Sequence, residues 1–384
     1  MSTQGRRQWG QAEAALVTVV IPCYNQAHFL GEAIESVLEQ TYPHYEIVVV
    51  DDGATDNTSE VASRYPDKVR LIRQENRGLS GARNTGIRHS EGEYVVFLDA
   101  DDRLLPEALE AGLECFHAHP ECAFVFGHYW YIGADGSFLR QPTPLSGEDG
   151  HYIGLLRGPY IAVPAMGMYR RFVFATVGLF DSSLNATADY DLYLRIARRL
   201  PVRRHGTVVA EYRQHGANMT GDAGKLLRSV IKTLRSQREY ARRDELYWEA
   251  YKAGLRNWQS WYGAGAIDEV KTRLGEGEWR RAASGAWTLL RYYPRGLALL
   301  LRRGRSKNRE LQGRTRRPQN FEKRLHRLKG MLEKERQEVR RLREQNQRLA
   351  SRAQDMERRL REIEDSRSWK LLKRVGRLRE NARK

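Results

Sequence analysis

The chain has 384 residues, 41% hydrophobic and 29% charged, with 65 Lys and Arg against 48 Asp and Glu and a formal charge of +17 at pH 7. Its length allows two or three structural units; no apolar run approaches the ~20 residues of a membrane span, and the polar opening through Gln11 lacks the apolar segment of a secretion signal. Three cysteines, Cys23, Cys115 and Cys122, have no zinc-type spacing and are too few for a disulfide framework, so a reducing compartment is expected.

The charge is unevenly placed. Residues 1–220 hold 20 Lys and Arg against 27 Asp and Glu (−7), and the rest hold 45 against 21 (+24). The basic half suits an anionic partner, a phospholipid face or nucleic acid, or else a solvated helical surface. A cytoplasmic protein is expected, free or held on the inner face of the cell membrane.

In chain order, residues 1–15 form a polar tail. Leu16 to Pro22 then predicts a buried strand, Cys23 to Gln26 a loop, and Phe29 to Gln40 a helix. A second strand over Ile47 to Val50 ends in Asp51, Asp52 and Gly53; a helix over Val61 to Tyr65 and a strand over Val69 to Ile72 follow. The Gly-rich stretch Asn76 to Gly86 carries neither GxGxxG nor GK[ST]. It places Arg83 and Asn84 at the start of a helix through Arg88, where N–H groups and a guanidinium suit a diphosphate or a nucleobase edge; a surface loop with Arg83 paired to Glu75 is the alternative.

The next stretch, EYVVFLDADDRLLP over Glu93 to Pro106, is the one around which the chain is organised. Val95, Val96, Phe97 and Leu98 are continuously apolar, as in a strand covered on both faces. They deliver Asp99, Asp101 and Asp102 at the strand end, where open α/β sheets bind ligands. Three carboxylates this close call for a cation such as a divalent metal, unless they form a solvated turn leading to a helix with Pro106 in its first turn. Alternating strands and helices predict an α/β fold with a doubly wound, mainly parallel sheet.

Phe124 to Arg140, FVFGHYWYIGADGSFLR, predicts a hairpin about Gly-Ala-Asp-Gly, with Tyr129, Trp130 and Tyr131 available for packing or for stacking on a sugar. Asp189 and Asp191 precede a helix anchored by Leu192, Leu194 and Ile196, either as chemical groups or as helix cap and dipole partner. A helical region over 223–304 follows. Its GLALLLRR segment beside Tyr292 and Tyr293 suits packing or a membrane interface. A basic linker spans 305–320.

Over 321–366, heptads place Leu325, Leu332, Val339, Asn346, Ala353 and Leu360 at a, and Leu328, Glu335, Leu342, Leu349, Met356 and Ile363 at d. The single a-position Asn and attractive g–e pairs predict a parallel homodimeric coiled coil, with a single charged helix as the alternative. Residues 367–384 read as a basic amphipathic tail that contacts a membrane or a partner.

The run VTVVIPCYNQAHFLGEAIESVLEQTYPHYEIVVVDDGATDNT, followed by ENRGLSGARNTGIRHSEGEYVVFLDADD, resembles the family 2 glycosyltransferases. The resemblance implies a GT-A fold that moves a sugar, with inversion, from a nucleotide-diphosphate-sugar to a glycan or lipid-linked acceptor hydroxyl. Cell-surface polysaccharide synthesis is the expected setting, with Mn²⁺ or Mg²⁺ as cofactor. It assigns Pro22, Tyr24, Asn25, Asp51, Asp52, Arg83, Asn84, Asp99 and Ala100 to the nucleotide-sugar and Asp101 to the metal. Tyr212 to Thr220, YRQHGANMT, resembles the family's closing segment and makes His215 a third metal ligand or a diphosphate contact. In the ADYD element Asp189 matches the catalytic base and Asp191 is the alternative base or an acceptor contact, while Ala188 stands where the family has Glu. No specific nucleic acid is expected. The competing reading is a basic coiled-coil scaffold, binding nucleic acid or membrane, with a degenerate glycosyltransferase domain.

Overall fold

The computed structural model describes residues 15–142, 150–158, 160–184, 186–216 and 222–296. All of them belong to one compact unit, Met1–Arg305. The expected coiled coil over 321–366, the linker before it and the basic tail after it lie outside the described residues.

The first half alternates strand and helix: β1 (Val17–Cys23), α1 (Ala27–Leu38), β2 (Tyr45–Asp51), α2 (Thr58–Ala62), β3 (Val69–Arg73), α3 (Gly78–His89) and β4 (Tyr94–Phe97). Short β5 (Arg103–Leu104) leads into α4 (Ala108–Ala118), then β6 (Phe124–Ile132), β7 (Phe138–Arg140), α5 (His151–Arg157), β8 (Gly167–Arg170), α6 (Phe172–Val177), α7 (Ala188–Ala197) and β9 (Val202–Arg213). Four helices close the described chain: α8 (Ala223–Ser236), α9 (Arg238–Ala241), α10 (Glu245–Gly275) and α11 (Trp279–Tyr292).

The strands form one sheet in the order β3-β2-β1-β4-β8-β6-β9-β5, with β7 paired to β6 as the expected hairpin. Every residue of β1 is buried, which its unbroken apolar run dictates for a strand covered on both faces. The sheet is mixed rather than mainly parallel. Pairs β1–β2, β2–β3, β1–β4 and β6–β9 are parallel, whereas β4–β8, β6–β8, β6–β7 and β5–β9 are antiparallel. Beyond β4 the elements that join neighbouring strands no longer form regular crossover units, so β8 enters the sheet head to tail with β4.

Helix α1 starts two residues before its expected position, because Asp56 Oδ2 accepts from Ala27 N at 2.9 Å and caps the helix from another loop. Helix α3 corrects a larger expectation. It begins at Gly78, so Arg83 and Asn84 sit mid-helix and are fully buried rather than opening it. The glycines do not break the helix because they let it close on the sheet: a Cβ at Gly86 would overlap the Val20 side chain of β1. Phe97 of β4 meets Tyr169, Phe174 and Phe180 edge-on at centroid distances of 5.6, 5.9 and 5.0 Å, joining the two halves of the core.

Helix α8 buries Leu226, Leu227, Val230, Ile231 and Leu234, the i, i+4 stripe of an amphipathic helix. Together with Trp258 of α10 it shares the core of the sheet domain. All three cysteines are buried thiols without disulfides.

Candidate active site

The carboxyl ends of β1, β2 and β4 meet at one sheet edge. Here Asn25 adopts a positive φ of 56°, and its Oδ1 accepts from Thr55 N at 2.8 Å, tying the two loops together. Pro22 lies inside β1 opposite Val50, while Tyr24 is 49% exposed on the loop. The buried Asp51 accepts from Ala54 N at 2.8 Å and from the Ser59 hydroxyl, with Arg73 Nε at 3.7 Å. Asp52 accepts from Gln74 Nε2 at 2.6 Å and Arg77 N at 2.9 Å, which fixes the entry to α3. Between them and the next loop, Gly53 has φ 73°, and a Cβ there would lie 2.8 Å from Asn76 N.

One ion pair and one carboxylate–imidazole contact define the centre. Arg83 Nη2 donates to Asp99 Oδ1 at 2.6 Å, and His215 Nε2 lies 2.9 Å from Asp101 Oδ2, to which Gln26 Nε2 also donates at 3.2 Å. Arg83 is buried above the Phe180 ring, 5.4 Å from its centroid, and its Nε has no hydrogen-bond acceptor. Asp189, in the first turn of α7, lies within the field of both Arg83 and Asp99. Burial pushes its carboxyl above the ordinary carboxylate range, with Arg83 and the Tyr190 N–H, 2.8 Å from Oδ1, pulling the other way. The structure thus aligns a carboxylate from β4, a buried guanidinium from α3 and a raised-pKa carboxylate from α7.

Other expected residues serve the frame. Asn84 donates to Phe180 O at 2.9 Å and accepts from Phe180 N at 3.0 Å, fastening α3 to the chain before α7. Asp191 accepts from Arg195 Nε at 2.7 Å, and Arg195 in turn donates to the carbonyls of Val177, Gly178 and Leu179. Ala100 is buried in the acidic turn, and Tyr129 donates to the Tyr131 hydroxyl at 2.9 Å within the hairpin cluster.

Several residues escape a motif-based reading. Arg213, 1% exposed, donates to Asp101 O at 2.8 Å, Ala134 O at 3.0 Å and Glu32 Oε2 at 2.6 Å, and stacks over Phe29. Its backbone N–H donates to Asp102 Oδ1 at 2.9 Å. The one available signal was its place two residues before His215. On the α7 side, Thr187 shares hydrogen bonds with Ser229 (2.8 Å) and Thr233 (3.0 Å) of α8, while Trp258 Nε1 of α10 donates to the Tyr190 hydroxyl at 3.3 Å. These contacts bracket Asp189 from both sides, and nothing in their spacing announces them.

The strand-end acidic turn thus faces a partly buried helix carboxylate across a buried arginine. The glycosyl transferase family 2 model matches residues 18–178. A Rickettsia typhi protein described as an uncharacterized glycosyltransferase is 32% identical over 219 residues, which are 54% of this chain and 67% of that protein. The chain belongs to glycosyltransferase family 2. A Rickettsia felis relative with the same description is 35% identical over 212 residues, 52% of this chain but only 34% of its own length. Among solved structures, TarS 1-349 of S. aureus in complex with UDP-GlcNAc superposes with a TM-score of 0.55 at 18% identity, covering 74% of this chain and 83% of that one. That likeness supports the fold.

Proposed function

We propose that the chain transfers a sugar from a nucleotide-diphosphate-sugar to an acceptor hydroxyl with inversion, Asp189 acting as the base. The row Asp99, Arg83, Asp189 carries the reading. It sets a donor-side carboxylate and an acceptor-side carboxylate on either side of one buried cation, which the degenerate-domain reading gives no reason to keep. A base needs a proton affinity matched to its task, and the raised Asp189 carboxyl meets that need better than an exposed one. Tyr24, with its ring open at the β1 loop, suits a nucleobase face, and Pro22, Asn25, Asp51, Asp52 and Ala100 shape the wall behind it. The S. aureus fold neighbour binds UDP-GlcNAc, which supports a nucleotide-sugar donor.

A divalent metal fits the residues present. Asp101 and His215 already meet as a carboxylate and imidazole pair, and among the described residues no cluster of three or more His, Cys, Asp or Glu forms a closed cage. Mg²⁺ and Mn²⁺ suit that arrangement, since such ions are bound through one or two protein donors plus substrate phosphates. When bound, the metal would neutralise charge on the departing diphosphate. Arg83 would hold Asp99 in place, and Asp189 would take the acceptor proton. A cell-surface polysaccharide or lipid-linked glycan is the proposed acceptor class, and a cytoplasmic location, at the membrane face, goes with it. Homodimerisation through 321–366 is part of the same proposal.

Calorimetric titration of UDP, GDP, CDP and dTDP into the full chain, with Mn²⁺ and then with chelator, tests this. The expected result is metal-dependent binding of one nucleotide that Asp101→Ala abolishes. Absence of binding to all four would return the scaffold reading.

A further inference from the structure

Helix α11 carries two apolar stripes where a surface helix needs one. The inner stripe, Ala282, Ala286, Leu289 and Tyr293, faces the domain: Ala282 and Leu289 are buried, and a Cβ at Gly263 of α10 would run into the Tyr293 ring. Gln259 Nε2 of α10 donates to Tyr292 O at 2.8 Å and fixes that orientation. The outer stripe is Trp279, Ala283, Trp287 and Leu290, at i, i+4, i+8 and i+11, so it too lies on one line. Trp279 is 69% exposed, Trp287 62% and Leu290 48%, and Leu274 at the end of α10 adds to the patch at 38%. Solvent contact at four large apolar side chains in one place marks an interaction surface.

The neighbouring line on the helix is basic. Arg280 and Arg291 share one line of the helix, Arg295 follows just past the helix end, and residues 279–295 contain no acid. Glu278, just before the helix, pairs with Arg281 at 2.8 Å. We propose that this outer face of α11 is an interfacial contact that seats the protein on an anionic lipid surface. Indoles at Trp279 and Trp287 enter the boundary between headgroups and acyl chains, Leu290 enters beside them, and the arginine line reaches the phosphates. Charge favours this occupant over an antiparallel second copy of the chain, because that two-fold pairing of the stripe would set arginine line against arginine line. The helix is otherwise well suited to lie flat: it is anchored along its whole inner side, and among the described residues none is long and apolar enough to cross a membrane.

The test uses the full chain with vesicles of phosphatidylcholine alone and of phosphatidylcholine mixed with phosphatidylglycerol. Co-sedimentation is expected with the mixed vesicles only, and the triple variant Trp279→Ser, Trp287→Ser, Leu290→Ser should partition about tenfold or more weakly with its thermal unfolding unchanged. In a Trp369→Phe background, which removes the indole of the basic tail, Trp279→Phe with Trp287→Phe should still bind, yet lose the fluorescence quenching that bromine-bearing acyl chains cause in the parent. Equal sedimentation of native and triple variant, or quenching that persists in the Phe variant, overturns the proposal. So does failure of the native protein to bind mixed vesicles, whether or not the triple variant turns a dimer into a monomer or releases an acidic protein partner.

Discussion

The two walls of the candidate site are built differently. The donor wall, the ends of β1, β2 and β4, rests on strands buried on both faces, and its acids are tied down by backbone N–H groups of neighbouring loops. The base wall is the first turn of one helix, and what holds it comes from Ser229, Thr233 and Trp258 in α8 and α10. The family match ends at residue 178, before Asp189 and before all three of those partners. The proposed donor wall and the proposed base therefore lie in separate parts of the chain, and each should respond to substitutions that leave the other alone.

The largest effect expected is on the base. Asp189→Asn should lower the transfer rate by about 10³-fold, the usual contribution of a general base, while nucleotide affinity stays within twofold. Single-turnover transfer and calorimetry read the two quantities separately; a matching loss of nucleotide affinity would merge the walls. Next comes the clamp beneath the donor wall. Arg213→Met strips a buried cation from Glu32 and from the carbonyls of Asp101 and Ala134. Urea unfolding should show a loss of about 1.5–3 kcal/mol, the scale of charged hydrogen bonds, since Glu32 is itself half exposed.

A smaller effect separates the walls by pH. Because burial raises the Asp189 carboxyl, its basic form appears only above the ordinary carboxylate range. The turnover number should rise with pH through that higher window and then level off, and it should fall as pH drops through it. A profile flat into the ordinary carboxylate range would remove Asp189 as the base. The mildest change is Trp258→Phe. It keeps an aromatic ring but gives up part of the buried indole and the hydrogen bond to Tyr190, the latter worth about 1 kcal/mol. Turnover should drop severalfold, with nucleotide affinity untouched and the acid limb of the profile displaced; an unmoved limb would leave Trp258 as packing alone.

The donor wall was legible in the sequence because its signal is local. A continuous apolar run followed at once by acids predicts a buried strand that ends in an acidic turn, and Asp51, Asp99 and Asp101 all lie where that pattern puts them. Arg83 was legible as a residue, yet its setting was not. Glycines ordinarily argue for a loop, whereas here Gly86 is required by the close approach of α3 to β1. The antiparallel half of the sheet was hidden for another reason. β8 is four residues long, too short for an alternating pattern to register. Asp191 is a case of a signal present but unread, since Arg195 stands four residues on, the spacing at which helix side chains pair. The cradle around Thr187 and Tyr190 had no signal at all, because hydroxyl and indole contacts across 42 to 68 residues leave no periodic trace.

The acidic turn also has a place in time. Residues 98–102 join β4, in the middle of the sheet, to β5, whose pairing is with β9 at the opposite end. Asp102 waits for the N–H of a residue 111 positions later, and Asp101 for the same arginine's side chain. On a ribosome the sheet's parallel half can collapse as soon as β4 emerges, but its acidic turn stays unlatched until Arg213 is made. By then Asp189 has been made as well. A nascent chain therefore latches its acidic turn only when Asp189, the proposed base, is already present, and a chain that stalls early has neither the latched turn nor that carboxylate.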